Sequence, residues 1–183
     1  MDRRIEKTKN SIINAFLELR SKKDIEKISI RELCERANIN KSTFYTHYRD
    51  IYDLSEQLES QVVQDILAQI DHADCIITDP QVFTQELYYA WLAHEHLIGI
   101  LFSGSRRDRL IVNIESSIKD KVYGLYPMLR ENAFADTVFT LEIYGEFYAF
   151  TKCRRFGDEN VIKILCAHWE ANARLLKDQQ DLI

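Results

Sequence analysis

The chain has 183 residues, of which 46% are apolar and 29% charged, so it can fold around one sizeable core or form a small module attached to a larger one. Five Gly and two Pro are too few for the frequent turns of an all-β protein, and the composition therefore favours helices. The net charge of −5 argues against a protein that coats nucleic acid with its whole surface.

The charge is unevenly distributed along the chain. Residues 1–50 contain 12 Lys and Arg against 8 Asp and Glu, a balance of +4, whereas residues 51–183 contain 12 against 21, a balance of −9. A basic N-terminal segment followed by an acidic body indicates that only the N-terminal segment meets an anionic partner.

Cysteine spacing and hydropathy give no sign of a metal site, a secreted framework or a membrane anchor. The four cysteines, Cys34, Cys75, Cys153 and Cys166, are too widely scattered for metal ligation, so we expect reduced thiols, no metal and no cofactor. The charged start "MDRRIEKTKN" is unlike a signal peptide, and the longest apolar run, "LIGILF", is too short to cross a bilayer. We therefore expect a cytoplasmic protein that does not bind membranes.

Four helices are predicted in the first third of the chain. The first carries apolar residues at helical spacing, namely Ile5, Ile12, Ile13, Phe16, Leu17 and Leu19. The second begins at Ser29, which forms a capping box with Glu32. Asn38 can adopt the left-handed conformation that ends this helix, and Asn40 can cap a third helix, "KSTFYTHY". Asp50 then caps a fourth helix of about 20 residues.

The rest of the chain also reads as helical. A break at Thr78–Pro80 precedes the predicted helices, which span Phe83–Phe102 with an interruption near His94, Leu110–Tyr126, Leu129–Phe156 and Asp158 to about Gln179. Gly157 stands where a left-handed C-terminal cap is expected. With no convincing strand and no internal repeat, the prediction is an all-α protein of about nine helices.

The second and third helices, joined by the three-residue turn "NIN", form a helix-turn-helix. In this motif the second helix enters the DNA major groove and the first crosses the backbone. Phe44 and Tyr48 lie four residues apart and can face the core. The remaining side chains include hydrogen-bond donors suited to phosphates and base edges, namely Lys41, Ser42, Thr43, Tyr45 and His47. Catalysis by His47 is not expected, because no nucleophile or paired carboxylate accompanies it.

The run "SIRELCERANINKSTFYTHYRDIYDL" resembles the DNA-binding domain of TetR-family transcriptional regulators. The matching positions are Ala37, Thr43, Phe44, Tyr45, His47, Tyr48 and Leu54, and the similarity covers about residues 5–60. The chain departs from the family at Asn38, where Gly is usual, and at Ile51, where a phosphate-binding Lys is common. Some relatives that lack this Lys activate dihydroxyacetone kinase genes, and the aromatic segment "ELYYAWLAHEHLIGILF" loosely resembles that branch.

The resemblance implies a three-helix DNA-binding domain at residues 1–49 and a helical regulatory and dimerisation domain at residues 50–183. It also implies a set of DNA-contacting residues, which we take as Ser29, Arg31, Asn40, Lys41, Ser42, Thr43, Tyr45, His47 and Arg49. Either Arg49 takes the phosphate contact of the Lys that is missing at Ile51, or the phosphate contact is weaker in this chain. Double-stranded DNA is the expected partner.

Two further features are expected of the acidic body. Apolar residues on its last two long helices, Phe134, Val138, Leu141, Leu165, Trp169 and Leu176, could form a homodimer interface or pack within one chain. Aromatic and polar side chains could line an effector pocket or form ordinary core, and the pocket set is Tyr88, Trp91, His94, Phe102, Tyr144 and Phe147. Glu142 and Glu146 would favour a cationic ligand if they faced inward, but exposure to solvent is the simpler expectation. His94 and His96 point to different helix faces and make a poor metal pair.

The favoured function is a dimeric, ligand-responsive transcriptional repressor that binds a palindromic operator. The alternative is a coactivator whose C-terminal domain binds a protein partner instead of a small molecule. An enzyme is not expected, because the sequence shows no phosphate-binding loop, no metal-ligand set and no nucleophile with a base.

Overall fold

The computed structural model describes residues 3–72 and 74–178, with side chains as far as Asn172. Over these residues the chain forms nine α-helices and no strand, which confirms the predicted all-α class. The helices are α1 (Arg3–Arg20), α2 (Ile30–Ala37), α3 (Lys41–Tyr45), α4 (Ile51–Ala68), α5 (Cys75–Thr78), α6 (Pro80–Leu101), α7 (Arg107–Leu125), α8 (Ala133–Cys153) and α9 (Asp158–Asp178). Single 3₁₀ turns occupy Ile25–Lys27, Gly104–Arg106, Pro127–Leu129 and Arg154–Phe156.

The chain divides by packing into two compact units. The first comprises Met1–Val62 and His96–Arg109, and the second comprises Val63–Glu95 and Leu110–Ile183. Helices α4, α6 and α7 contribute residues to both units. The predicted functional boundary after residue 49 concerns DNA binding rather than packing, and it stays a prediction.

The core of the first unit is built from the apolar faces of its N-terminal helices. Helix α1 packs against α2, and α2 packs against α3. The side chains at the centre of this core are fully buried, and they are Ile12, Phe16, Leu33, Phe44 and Leu54. Each lies on the apolar face that helical spacing predicts, so burial of these faces fixes α3 in the unit.

A buried ion pair completes the first unit. Glu59 of α4 is fully buried, and its carboxylate accepts two hydrogen bonds from the Arg106 guanidinium, at 2.8 Å from Nε and 2.9 Å from Nη2. Ser55, one turn earlier in α4, donates a third at 2.6 Å. These bonds offset the cost of removing the carboxylate from water.

The second unit has an aromatic core. Helix α8 packs against α9, where the ring centroids of Phe139 and Trp169 lie 6.2 Å apart. Helix α6 adds Tyr88, whose ring centroid lies 4.4 Å from that of Phe150. Aromatic pairs at such separations add to the stabilisation that burial alone provides.

Several predicted helix boundaries differ from those observed. Helix α3 ends at Tyr45 rather than Tyr48, and α6 runs without interruption through His94. The apolar face of α6 continues past His94 at Ile98 and Leu101, so packing supports an unbroken helix. Helix α8 begins at Ala133 instead of Leu129, because the Asn132 side chain caps it by accepting a 3.0 Å hydrogen bond from the Ala135 amide. The predicted end of the last helix at Gln179 lies outside the described residues.

Candidate functional site

The turn between α2 and α3 has the predicted left-handed residue. Asn38 adopts φ 54° and ψ 49°, and it is the one non-glycine residue with positive φ in the part of the chain that the structure describes. The Ile39 amide donates to the Cys34 carbonyl at 3.0 Å, which closes the end of α2. Asn tolerates this conformation, and so it can stand where glycine is usual.

The start of α2 is held by Ser29. Its hydroxyl accepts a hydrogen bond from the Glu32 amide at 3.2 Å, which confirms the predicted cap. The Glu32 carboxylate instead pairs with Lys23 at 2.5 Å, so the reciprocal half of the capping box is replaced by an ion pair. Arg31 is exposed and lies 2.8 Å from Glu35 on the next turn of α2. Both Ser29 and Arg31 therefore present polar groups to solvent at the start of α2.

Helix α3 has one buried and one exposed side. Phe44 and Tyr48 are buried, as predicted from their spacing, whereas Tyr45 is 55% exposed. The rings of Phe44 and Tyr45 meet edge to face, with centroids 5.6 Å apart. Lys41 and Ser42 are exposed, and Thr43 and His47 are half-buried. The exposed side thus combines a cation, hydroxyl groups and an aromatic ring.

Asn40 and Arg49 flank α3. Asn40 occupies the N-cap position, but its side chain makes no capping hydrogen bond and is exposed. The Arg49 guanidinium lies 3.3 Å from Asp53 of α4, yet its side chain remains 84% exposed. Ile51 is buried, so the position at which related domains often carry Lys belongs to the core here. Arg49 is accordingly the exposed cation nearest to that position in sequence.

Sequence reasoning missed one exposed aromatic residue beside α3. Tyr52, in the first turn of α4, is 45% exposed, although a large aromatic ring is stabilised by burial. The available signal was that Tyr52 lies outside the apolar stripe of α4, which contains Ile51 and Leu54. Tyr52 extends the set of exposed polar and aromatic side chains in this part of the first unit.

The second unit contains an aromatic cavity. Its empty space measures about 730 Å³ when the opening to solvent is included. Aliphatic side chains line it from α4, α5 and α7, and its aromatic lining consists of Phe83, Tyr88, Trp91, Phe139, Phe147 and Trp169. Three residues of the predicted pocket, Tyr88, Trp91 and Phe147, are thus brought together.

The other three predicted pocket residues lie elsewhere. The ring Nδ1 of His94 lies 2.9 Å from the Ala90 carbonyl, and its side chain does not line the cavity. Phe102 is buried in the first unit. Tyr144 donates a hydrogen bond to Glu115 instead, and burial, followed by this hydrogen bond, raises the pKa of its hydroxyl. The prediction was wrong for these three because an aromatic-rich segment does not indicate which of its side chains share a helix face.

Two carboxylates line the same cavity, contrary to the expectation that they are exposed. Oε1 of Glu142 accepts a 2.8 Å hydrogen bond from Asn172 of α9, and its Oε2 lies 3.2 Å from His168 Nε2. Oε1 of Glu146 is inaccessible to solvent and has no hydrogen-bond partner within the described residues. Burial, followed by repulsion from Glu142, raises the pKa of Glu146 to about 8.

An exposed apolar face runs along α8. Its large members are Phe134, Leu141 and Tyr148, which are spaced seven residues apart, and Leu141 is 66% exposed. Ile164 of α9 is also exposed, whereas Leu165 and Trp169 are buried within the chain. Those two residues pack α9 against the core, so they are corrected from predicted interface residues to internal ones. Val138 is half-buried, and the side chain of Leu176 lies outside the described residues.

The described part of the chain offers neither a metal-binding cluster nor a membrane-spanning helix. Among residues 3–72 and 74–172, no cluster of three or more His, Cys, Asp or Glu side chains is arranged to hold a metal ion. Across the same two ranges, no helix is both long and apolar enough to cross a membrane.

Comparisons with known proteins agree with the geometry of the first unit. Residues 12–58 match the family model described as "Bacterial regulatory proteins, tetR family". The chain is also 32% identical over 85 residues to the uncharacterized HTH-type transcriptional regulator YxbF of Bacillus subtilis (strain 168). This alignment includes 46% of the chain and only 21% of that relative, so the chain spans about a fifth of the relative's length. No solved structure matches the chain significantly.

Proposed function

We propose that this chain, whose residues 12–58 match the model of the tetR family of bacterial regulatory proteins, is a DNA-binding transcriptional regulator that acts as an effector-responsive homodimer. The observation that carries this proposal is the two-sided helix α3. Phe44 fixes its inner side in the core, and Tyr45 and Lys41 face outward. A helix held in this way can enter the major groove of DNA, and the protein then acts in the cytoplasm, where bacterial DNA lies.

The proposed DNA contacts divide into two classes. Lys41 and Arg49 supply positive charge for phosphates, together with Ser29 and Arg31 at the start of α2. Asn40, Ser42, Thr43, Tyr45 and His47 offer hydrogen bonds or ring contacts to bases and the adjoining backbone. Phosphate contacts set the position of the protein on DNA, and base contacts set its sequence preference.

Replacing Lys41 or Tyr45 with Ala is the direct test of this assignment. We expect Lys41→Ala to weaken binding to all duplexes and to lower the salt dependence of log Kd by about one unit per bound protomer. We expect Tyr45→Ala to weaken operator binding about 10- to 100-fold, as loss of a base contact worth about 1–3 kcal/mol would do. Fluorescence anisotropy over a salt series, with the DNA upstream of the protein's own gene, measures both effects.

Two controls accompany these variants. Lys163→Ala removes the same charge from an exposed position on α9 and should leave DNA affinity unchanged. Selection from a random duplex pool finds the operator even if it lies upstream of another gene. If both α3 variants bind the selected DNA as tightly as the parent protein, the assignment of α3 as recognition helix is wrong.

The homodimer is proposed from the exposed apolar face of α8. Phe134, Leu141 and Tyr148 lie along one side of the helix, and Ile164 is exposed on α9. A second copy of the chain would remove these side chains from water, and two-fold pairing would place two α3 helices on a palindromic operator. Half-sites about one helical turn apart, or a multiple of this, would then be selected from the random pool.

Leu141→Glu is expected to dissociate this dimer. An unpaired carboxylate buried at the interface of each protomer costs several kcal/mol, so the dimer Kd should rise at least about 100-fold. Val112→Glu is the matched control, because Val112 is 52% exposed on α7 and is not part of the proposed face. Sedimentation equilibrium measures both. A parent protein that is monomeric would contradict the dimer and favour the alternative that this face binds a different protein.

We propose that the protein is a repressor that its effector releases from DNA. In this mechanism the ligand-free dimer occupies the operator, and a small molecule in the cavity of the second unit favours a state with lower DNA affinity. The shift can be no larger than the difference in the ligand's affinity for the two states. A reporter gene behind the selected operator should be silenced by the protein, and a rise in its expression would indicate an activator.

A further inference from the structure

We propose that the cavity of the second unit binds an organic amine in its protonated form, with the ammonium group at Glu146 and an apolar body against the aromatic walls. The inference rests on the proposed function, because it names the effector class of the same site. It also makes a claim about binding that can be measured without DNA.

The first argument is the unsatisfied carboxylate. Oε1 of Glu146 is inaccessible to solvent and lacks a hydrogen-bond partner in the part of the chain that the structure describes. A buried polar atom without a partner is costly, and native proteins keep few of them without a functional reason. A ligand N–H group would satisfy this atom, and a charged donor would do so most strongly.

The second argument is the difference between the two carboxylates. Glu142 is engaged by α9, because its Oε1 accepts a hydrogen bond from Asn172. Its Oε2 lies 3.2 Å from His168 but, like Oε1 of Glu146, is buried without a hydrogen-bond partner among the described residues. Glu146, one turn further along α8, receives no comparable support from described residues. The two acids therefore place two carboxyl groups at one wall of the cavity and leave a Glu146 oxygen open to a ligand.

The third argument is the aromatic wall around the carboxylates. The ring centroids of Trp91 and Phe147 lie 5.7 Å apart in an edge-to-face arrangement, and Tyr88 and Trp169 also line the cavity. Aromatic faces attract cations through their quadrupoles and also bury apolar groups. An amine with a ring and a short alkyl chain fits both properties, whereas an anionic ligand would be repelled by these two acids whenever they are ionised.

Release of the Glu146 proton on binding gives this binding mode a measurable pH dependence. Three titratable groups face Glu146, namely Glu142 on its own helix, Tyr88 on α6 and Cys166 on α9. His168 of α9 lies beside Glu142. The side chains that line the cavity from α4, α5 and α7 are aliphatic. Burial raises the pKa values of Tyr88 and Cys166 above their usual ranges, so both stay neutral near neutral pH. Glu146, with a pKa of about 8, is largely protonated below that pH and must lose its proton when a cation binds.

The test uses the protein's own tryptophans. Both Trp residues of the chain, Trp91 and Trp169, line the cavity, so quenching of their fluorescence reports occupancy directly. Phenylbutylamine, phenylbutanol and phenylbutyrate have similar bodies and carry positive, neutral and negative polar ends. In amine-free buffer we expect the amine to bind at least about 10-fold more tightly than the alcohol, as expected for a hydrogen bond to a charged group, and the carboxylate to bind most weakly.

The pH profile separates Glu146 from its neighbours. Amine affinity should rise towards about 10-fold per pH unit as pH increases to about 8 and then level off, because deprotonation of Glu146 no longer opposes binding there. The amine itself keeps its charge throughout, as an alkylammonium with a pKa near about 10 does. Glu146→Gln should abolish this dependence and lower amine affinity at least about 10-fold above pH 8, with the fold checked by circular dichroism.

Two variants serve as controls, and the outcomes are decisive. His168→Gln should preserve the pH dependence of amine affinity. Glu131→Gln removes a charge at an exposed position and should leave amine affinity unchanged.

Equal affinity for amine and alcohol, or an amine affinity that Glu146→Gln leaves unchanged, would overturn the proposal. DNA binding is assayed separately: DNA binding without amine binding refutes this inference alone, and amine binding without DNA binding supports it while refuting the proposed function.

Discussion

Replacing Arg106 with Met should lower the free energy of unfolding by about 3–5 kcal/mol, because it leaves the Glu59 carboxylate buried without its principal charge partner. Glu59 is fully buried, and Arg106 contacts both of its oxygens at 2.8 and 2.9 Å. Domains of this size unfold with free energies of about 5–15 kcal/mol, so the loss would bring the first unit close to unfolding at ordinary temperature. Urea denaturation followed by circular dichroism measures the change.

The neighbouring Arg109 provides a matched control. Its side chain is 45% exposed and lies 3.4 Å from Glu59, so Arg109→Met should cost less than about 1 kcal/mol. If Arg109→Met were as damaging as Arg106→Met, overall charge balance rather than the buried pair would be responsible.

The double variant Glu59→Met with Arg106→Met isolates the pair itself. Replacing both charges by apolar groups removes the desolvation cost, so most of the lost stability should return. The Ser55 hydroxyl, which donates to Glu59 at 2.6 Å, can bond to a carbonyl of its own helix instead. A double variant as unstable as Arg106→Met would show that packing, not the unpaired charge, dominates.

Local signals explain why the first unit could be predicted in detail. The cap at Ser29, the left-handed Asn38 and the burial of Phe44 depend on neighbours within a few residues. The Glu59–Arg106 pair joins residues 47 positions apart, and the sequence around each residue does not indicate that its charged side chain is buried. Long-range pairing of this kind depends on the tertiary fold, which spacing along the chain does not reveal.

The second unit was harder to predict because α8 is apolar on most of its circumference. Periodicity cannot then assign one face to the cavity and another to solvent. The structure turns Glu142 and Glu146 inward and leaves Leu141 outward, although all three lie within six residues. On α9 the apolar stripe predicted for the interface includes Leu165 and Trp169, which are buried within the chain itself. Amphipathicity indicates that a face is buried but not what covers it.

Phe44→Ala should cost about 3–5 kcal/mol of stability, which is the usual loss when a buried Phe is truncated and its cavity does not collapse. Phe44 is fully buried and is one of the few apolar anchors of α3, a helix of only five residues. A helix this short has little stability of its own, so it depends on packing for its position. Phe44→Leu, which retains most of the apolar volume, should cost distinctly less, and urea titration of both variants gives the comparison.

The neighbouring Tyr45 makes this prediction a test of the two-sided helix. Tyr45→Ala removes a ring of similar size from a position that is 55% exposed, so its unfolding free energy should change by no more than about 0.5–1 kcal/mol. DNA affinity should show the opposite order at a temperature where both variants are folded, because Tyr45 faces the proposed groove and Phe44 does not. Equal destabilisation by the two substitutions would mean that α3 is oriented differently. A stable Tyr45→Ala variant with lost DNA binding would show that Tyr45 contacts DNA, whereas the adjacent Phe44 packs the helix against the core.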